Sequence, residues 1–427
     1  MGQAVISDSL VLQQVRYLNP WTGQDERVTL ERQGDKVLGI HPSGPAEAPQ
    51  ASQPDLIFAP GLVDLYSYSG EPGHEDRETL RSLLEAAWAG GWTHLGILPD
   101  MQPGLDHPAV LKLLQSRLQS FAPDPMPQVH FWGCLTRDRA GEQLSELGDL
   151  LQAGVVGFTD NQGLSNLTLV RRALEYLQPW GKPLGLVPIQ PRLRGNGVMR
   201  EGGAAIRFGL PGEPVMTETS AIAAIVEMME AFSTPVHLLR VSTARGVELI
   251  AQAKARNLPL TASVTWMHLL FQSEALGGYD PNLRLDPPLG NPSDQQALIQ
   301  GLRAGIIDAI AVDHRAYTYE EKTLAFAEAP PGAIGLELAL PCLWQGLVMT
   351  EQLTALELWQ ALTVNPRHCL GFTDPHRHWL LFNPQTPWPV QASTLKTLGQ
   401  NTPYLGQTLT GQVEAILQWH EGANLTR

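Results

Sequence analysis

Ala59-Pro60-Gly61-Leu62-Val63-Asp64-Leu65-Tyr66-Ser67-Tyr68-Ser69-Gly70-Glu71-Pro72-Gly73 is where the character of the chain changes. Upstream, residues 10 to 58 read as short strands and turns. Val11-Leu12, Val28 to Leu30 and Val37 to Ile40 are interrupted by Asn19-Pro20, Gly34-Asp35 and a Pro/Ala/Ser-rich run at 42–54. From Leu62 onward, apolar runs of strand length alternate with amphipathic helical patterns. The runs fall at 61–66, 93–98, 129–133, 155–159, 183–189, 235–241, 259–265 and 307–312. Between them, Leu80, Leu83, Leu84, Ala87 and Trp88 place an apolar stripe on one helical face. Leu111, Leu113, Leu114 and Leu118 do so less regularly; Ile222, Ile225 and Met229 give a third case, and Val247, Leu249 and Ile250 a fourth.

Parallel strands need crossovers, and crossover helices form an outer ring. Eight such units predict an α/β chain with a (β/α)8 TIM-type barrel over 59–379. Strand-and-turn text returns at Trp379 to Phe382 and Gln412 to Leu417, so 1–58 and 380–427 are expected to pair into a small β-sandwich domain. The glycine-rich segment 195–217 is expected on the functional rim. There is no internal repeat and no long low-complexity segment.

A length of 427 residues suits one such barrel with a small domain, although length alone allows two or three domains. A 43% hydrophobic and 17% charged composition fits a soluble globular protein. A net charge of −14 with no basic run argues against nucleic acid and anionic membranes as partners. Cys134, Cys342 and Cys369 lack metal-type spacing and are expected to be buried thiols in a reducing compartment. No basic-then-apolar leader follows Met1, and no apolar run approaches about 18 residues, so the expected location is the cytoplasm.

Ala59 to Leu65 and Glu71-Pro72-Gly73 closely resemble the signature around the first barrel strand of the dihydroorotase family, within the amidohydrolase superfamily. Further segments are similar to the same family: Asn282 to Leu289, Glu320-Glu321-Lys322, Ala329-Pro330-Pro331-Gly332, Gly335-Leu336-Glu337 and Asn401 to Gly406. The resemblance spans nearly the whole chain and fails at the chemistry. Where the family carries His-x-His for zinc, this chain has Tyr66 and Tyr68; where an Arg grips the substrate carboxylate, it has Gly70. Residues i and i+2 of a strand share a face, so 66 and 68 would place two ligands together. A phenol with a pKa of ~10 is a weak zinc ligand unless the metal removes its proton. Both rings are expected to fill space left by the metal.

Asp100 stands where the family's substrate-binding Asn would be, and would repel an anion. Asp160 matches an Asp that bridges or faces the metals. Pro188 takes the position of a His, on a short local match. Val236-His237-Leu238-Leu239-Arg240-Val241-Ser242-Thr243 resembles the family's His-x-x-His-Val-Ser-Thr, with Arg240 in place of the ligating His. A guanidinium keeps its proton and offers no lone pair. His237 is expected as a hydrogen-bonded core residue. In Asp313-His314-Arg315-Ala316-Tyr317, against the family's Asp-His-Ala-Pro-His, Asp313 matches the general base and Tyr317 replaces a His that contacts the substrate carboxylate. His314 carries no catalytic role by resemblance.

The resemblance implies zinc that polarises the ring amide and generates hydroxide, lowering the pKa of bound water to about 7. Loss of groups that merely support metal ligands typically costs roughly 10–100-fold. With four ligands replaced, no catalytic zinc is expected, although Asp160 and Asp313 could hold Mg²⁺ or Ca²⁺ weakly through water. Two carboxylates without a metal would repel each other. Arg240 is therefore expected to pair with Asp313 or Asp160, the alternative being a guanidinium in solvent. The leading expectation is a catalytically inactive dihydroorotase homologue of pyrimidine biosynthesis, acting as a structural or regulatory partner of aspartate carbamoyltransferase or self-associating. The alternatives are an active cyclic amidohydrolase using Asp160, Asp313, His237, His314 and the tyrosines without metal, and a small-anion sensor built from Tyr66, Tyr68, Tyr317 and Arg240.

Overall fold

The computed structural model describes residues 10–43, 55–373 and 375–425, the last six by backbone alone. Most of the Pro/Ala/Ser-rich run at 42–54 lies outside them. Eight staves surround a central core. Leu62–Ser67, Trp92–Ile97 and Gln128–Phe131 form one parallel ladder, and Leu184–Leu186, Val236–Leu238, Leu260–Thr265 and Ala309–Ala311 form another.

The run at 155–159 joins these ladders without becoming a regular strand. Val156 N–H donates to Phe131 at 2.9 Å and Thr159 N–H to Gly133 at 2.9 Å on one side; Phe158 N–H reaches Pro183 at 3.2 Å and receives Gly185 at 2.8 Å on the other. Pro183 has no N–H to extend that ladder, so pairing stops at single bridges around Phe158. The ring closes between the first and eighth staves. Asp313 N–H donates to Tyr66 O at 3.2 Å and Tyr68 N–H to His314 O at 2.8 Å. Asp64, fully buried, completes the seam by accepting Val312 N–H at 2.8 Å and Ser67 Oγ at 2.6 Å.

Helices with the expected apolar stripes pack outside: Leu80–Ala89, Pro108–Gln119, Met216–Met229 and Ala244–Ala255. Thr79 and Ser82 form a capping box that starts the first of these. Leu113 is exposed, which accounts for the irregular stripe of the second. Val63, Leu65, Leu98, Trp132, Val187, Leu239, Ala309 and Ala311 fill the barrel interior, so the barrel is a packed core.

The terminal segments do pair into one small β domain. Its strands Leu10–Asn19, Gln24–Gln33, Lys36–Pro42, Thr408–Leu425, His378–Pro389 and Ile57–Pro60 close in that order, the last returning to the first through Arg16 opposite Ile57 and Tyr17 opposite Phe58. The two layers expected of a sandwich are thus continuous at both edges, and the domain is a closed six-stranded barrel. Closure follows from Ile57–Pro60, a short strand that bridges the N-terminal hairpin and His378–Pro389. Tyr17, Phe58 and Trp379 stack in its core with ring centroids 5.0–6.1 Å apart.

Gly61 makes the passage from this domain into the large barrel, where a Cβ would lie 2.3 Å from Thr93 Cγ2. The three cysteines are free and buried. Among the described residues no helix is long and apolar enough to cross a membrane.

Candidate functional site

The carboxyl ends of the staves open into a cavity of about 400 Å³. Four non-glycine residues at its wall, Arg139, Asn161, Arg240 and Asp313, have left-handed backbones with φ of 56°, 54°, 57° and 54°. Such backbone strain is usual where a side chain must be aimed from a strand end.

Tyr66 is fully buried and does not line the cavity. Its hydroxyl lies 2.9 Å from Ser263 Oγ and accepts Arg240 N–H at 3.1 Å. Ser263 Oγ lies 2.9 Å from His237 Nε2, and His237 Nδ1 lies 2.8 Å from Thr261 Oγ1. This hydrogen-bonded thread satisfies both imidazole nitrogens. Burial pushes His237 down to about 3, so the ring is neutral, and burial raises the Tyr66 phenol, so it keeps its proton. Neither group is placed to ligate.

Tyr68 does line the cavity. Its hydroxyl accepts Asn161 Nδ2 at 2.8 Å and Arg240 Nη2 at 2.9 Å. Arg240 in turn grips Asp313 with a two-pronged ion pair, Nε to Oδ2 at 2.8 Å and Nη2 to Oδ1 at 2.7 Å. Arg240 is only 3% exposed. Burial opposes its charge, but Asp313 and the two tyrosines outweigh burial and hold it protonated. For Asp313 burial raises the carboxyl, and the guanidinium opposes that shift.

Asp160 turns elsewhere. It accepts Thr136 N–H at 2.9 Å and Thr136 Oγ1 at 2.5 Å, and it is absent from the cavity lining. Of the two carboxylates considered for Arg240, the partner is Asp313. Asp100 lines the cavity and pairs with Arg139 at 2.7 Å while accepting Asn161 Nδ2 at 3.1 Å. Pro188 is buried just beyond the fifth stave. A Cβ at Gly70 would lie 2.3 Å from Glu78 O and 2.4 Å from His74 O, so the local backbone admits no side chain there. Tyr317 is buried away from the cavity, donating to Pro331 O at 3.0 Å. His314 is structural: Gly335 N–H reaches Nδ1 at 3.1 Å, and Nε2 faces Glu78 at 3.3 Å.

This placement corrects two sequence expectations. An anion cavity made by Tyr66, Tyr68, Tyr317 and Arg240 does not form, because only Tyr68 and Arg240 reach the wall and Arg240 already holds Asp313. Metal-free acid/base work by Asp160, Asp313, His237, His314 and the tyrosines has no common locus, since Asp160 and both histidines lie outside the lining. The segment 195–217 does not line the cavity; it steadies the rim through Glu213, which accepts Arg194 Nε at 2.6 Å.

Zinc needs thiolate, neutral imidazole or carboxylate donors. Here the matching positions supply two hydrogen-bonded phenols, a proline and a guanidinium that would repel the ion. Among the described residues no group of three or more His, Cys, Asp and Glu is arranged to hold a metal. This donor set does not fit a zinc ion.

Sequence reasoning gave no role to Asn161, Arg139 or Arg315, all of which line the cavity. Arg315 had a visible signal, since it stands where the family pattern has Ala within Asp-His-Ala-Pro-His.

The overall architecture is that of the hydantoinase and dihydropyrimidinase barrels. L-hydantoinase from Arthrobacter aurescens superposes with a TM-score of 0.78 at 18% identity, covering 96% of this chain and 94% of that one. Dihydropyrimidinase from Brevibacillus agri gives 0.73 at 16% identity, covering 98% and 95%. No protein-family model matches the chain. In sequence it is 49% identical over 431 residues to a probable dihydroorotase-like protein of Synechocystis sp., covering 94% of this chain and 98% of the relative. It is 35% identical over 363 residues to a dihydroorotase of Carboxydothermus hydrogenoformans, covering 83% and 84%. The chain belongs to the dihydroorotase family.

Proposed function

We propose that this chain is a non-catalytic dihydroorotase-like protein of pyrimidine biosynthesis. In this reading it carries no zinc, does not open the dihydroorotate ring, and acts in the cytoplasm as a structural or regulatory partner of aspartate carbamoyltransferase or by self-association. The observation that carries the reading is the ion pair of Arg240 and Asp313. It puts a fixed cation against the one carboxylate that matches the family's general base, with Tyr68 bonded to the same guanidinium. A carboxylate with both oxygens engaged by a fixed guanidinium is not free to turn to a water or a substrate as a general base. The partner rests on family resemblance, which spans scaffold motifs at both ends of the barrel.

The test has two parts. Purified protein with added zinc is assayed for dihydroorotate hydrolysis, and it is mixed with aspartate carbamoyltransferase from the same cell for size-exclusion chromatography. The reading expects no turnover above the uncatalysed rate and co-elution or a self-associated peak. Turnover that survives metal exchange and repurification would overturn inactivity. A monomer that elutes separately would overturn the assembly role.

A further inference from the structure

An open groove of about 640 Å³ lies beside the segment that follows the eighth stave, and it shares no residue with the cavity at the mouth. Leu210, Tyr279, Pro281, Leu324, Ala325 and Ala327 make most of its lining. Tyr279 and Leu324 are each 46% exposed. Large apolar side chains grouped in solvent mark a surface that something covers. Tyr279 is held in place, its hydroxyl donating to Phe208 O at 2.7 Å. The wall opposite is irregular backbone anchored by the buried ring of Phe326. Along it, the N–H groups of Leu324, Ala325, Phe326 and Ala327 meet no acceptor among the described residues. Successive free donors beside apolar side chains are what an added extended chain pairs with.

The charges around the groove are one-sided. Asp280, Glu320 and Glu328 flank its lining in sequence, and none has an ion-pair partner among the described residues. Glu321 and Glu274, also close by in sequence, are neutralised by Arg77 and Arg207. Lys322 is the only charged residue in the lining. Its Nζ is turned to Pro281 O at 3.0 Å and Pro330 O at 2.7 Å, and burial, followed by Arg284, lowers its ammonium to about 7. Arg284 and Arg315 act on Lys322 without lining the groove. Three carboxylates therefore face at most one weakened cation.

We propose that this groove docks an extended segment of another protein in which apolar residues alternate with basic ones. Alternate side chains of an extended chain face opposite ways. One set enters between Tyr279 and Leu324, the backbone meets the free N–H groups of 324–327, and the basic set reaches the flanking carboxylates. A second copy of this chain is a poor occupant, because both copies carry a net charge of −14. The inference goes beyond the assembly role proposed above: it names a face and a partner chemistry, and it holds whether or not aspartate carbamoyltransferase binds.

The experiment titrates the full-length protein with a fluorescent, end-blocked peptide of about eight alternating leucine and arginine residues. Ionic strength is held constant, and amide hydrogen exchange is followed by mass spectrometry. Binding should saturate below about 1 mM, with new protection concentrated at 323–328, where the free protein exchanges fast. Peptides with serine in place of leucine, or glutamate in place of arginine, should bind at least about tenfold more weakly. Leu324→Asp should weaken the leucine–arginine peptide by at least about tenfold, and Glu328→Lys by severalfold; both side chains are exposed, so the fold tolerates the changes. Protection that maps elsewhere on the acidic surface would overturn the proposal. So would equal binding of the leucine–arginine and serine–arginine peptides, no saturation up to about 1 mM, or full affinity in L324D. The peptide comparison on the unmodified protein does not depend on a variant folding. Turnover and co-elution read the function proposed above, and peptide-dependent protection at 323–328 reads this claim.

Discussion

The seam between the first and eighth staves contains two sets of buried polar side chains that behave differently. Asp64, His314 and Asn401, which stand in segments that follow the family pattern, bond chiefly to backbone. Asp64 accepts Val312 N–H, His314 accepts Gly335 N–H, and Asn401 accepts Tyr317 N–H at 3.0 Å while donating to Arg315 O at 2.9 Å. Tyr66, Tyr68 and Arg240, which depart from the pattern, bond largely to one another and to Asp313. The contrast teaches what a fold can give up. Side chains that satisfy the backbone hold the closure of the barrel whatever chemistry the mouth performs. Side chains at the mouth can change as a group, provided that charge and hydrogen bonds are rebalanced within the group.

The sharpest way to break this contrast is Arg240→Ala, which leaves Asp313 buried without its cation. The expected loss is about 3–5 kcal/mol, read from denaturant unfolding. If the mouth is a self-balanced unit, the double change Arg240→Met with Asp313→Leu recovers most of that loss. A double variant as unstable as the single one would contradict the idea. His314→Ala probes the scaffold set. It strands Gly335 N–H and removes a neighbour of Glu78, for an expected loss of about 1–3 kcal/mol with no compensating second change at the mouth.

A pH series sharpens the comparison further. Burial raises Asp64 to about 7 in the folded chain, above its unfolded value, so the folded state binds the extra proton between about pH 4 and pH 7. Stability then falls as pH rises through that window. Asp64→Asn cannot lose a proton, so wild type should lose on the order of 1–2 kcal/mol relative to the variant across it, measured by melting temperature. Parallel pH curves for the two proteins would refute the assignment. The smallest effect is expected from Tyr317→Phe, which deprives Pro331 O of one donor at about 0.5–1.5 kcal/mol, read from denaturant unfolding.

Much of the architecture was legible because it rests on periodicity. Apolar stripes such as Leu80, Leu83, Leu84 and Ala87 marked crossover helices, and short apolar runs between turn signals, Val28 to Leu30 and Trp379 to Phe382, marked strands. The run at 155–159 read as a full strand because its apolar content is strand-like; a missing N–H at Pro183, on the neighbouring run, limits its pairing. Closure of the small domain was hidden for a related reason. It depends on four residues, Ile57–Pro60, whose pairing partners lie far away in sequence. At the mouth, substitution of ligand-type residues by Tyr66, Tyr68 and Arg240 was plain from sequence. Direction was not: residues 66 and 68 share a strand face, yet one ring joins the interior thread and the other meets the cavity. Asp160 was misplaced for a similar reason, since its capture by Thr136 is a tertiary contact across two loops.

The most direct test is the zinc content of untagged protein, purified without chelator, by mass spectrometry. With Tyr66, Tyr68, Pro188 and Arg240 at the ligand positions, the account predicts zinc far below one ion per chain, even after incubation with the metal. Near-stoichiometric zinc that withstands gel filtration would contradict it, because the Arg240–Asp313 pair would then have to open to admit the ion.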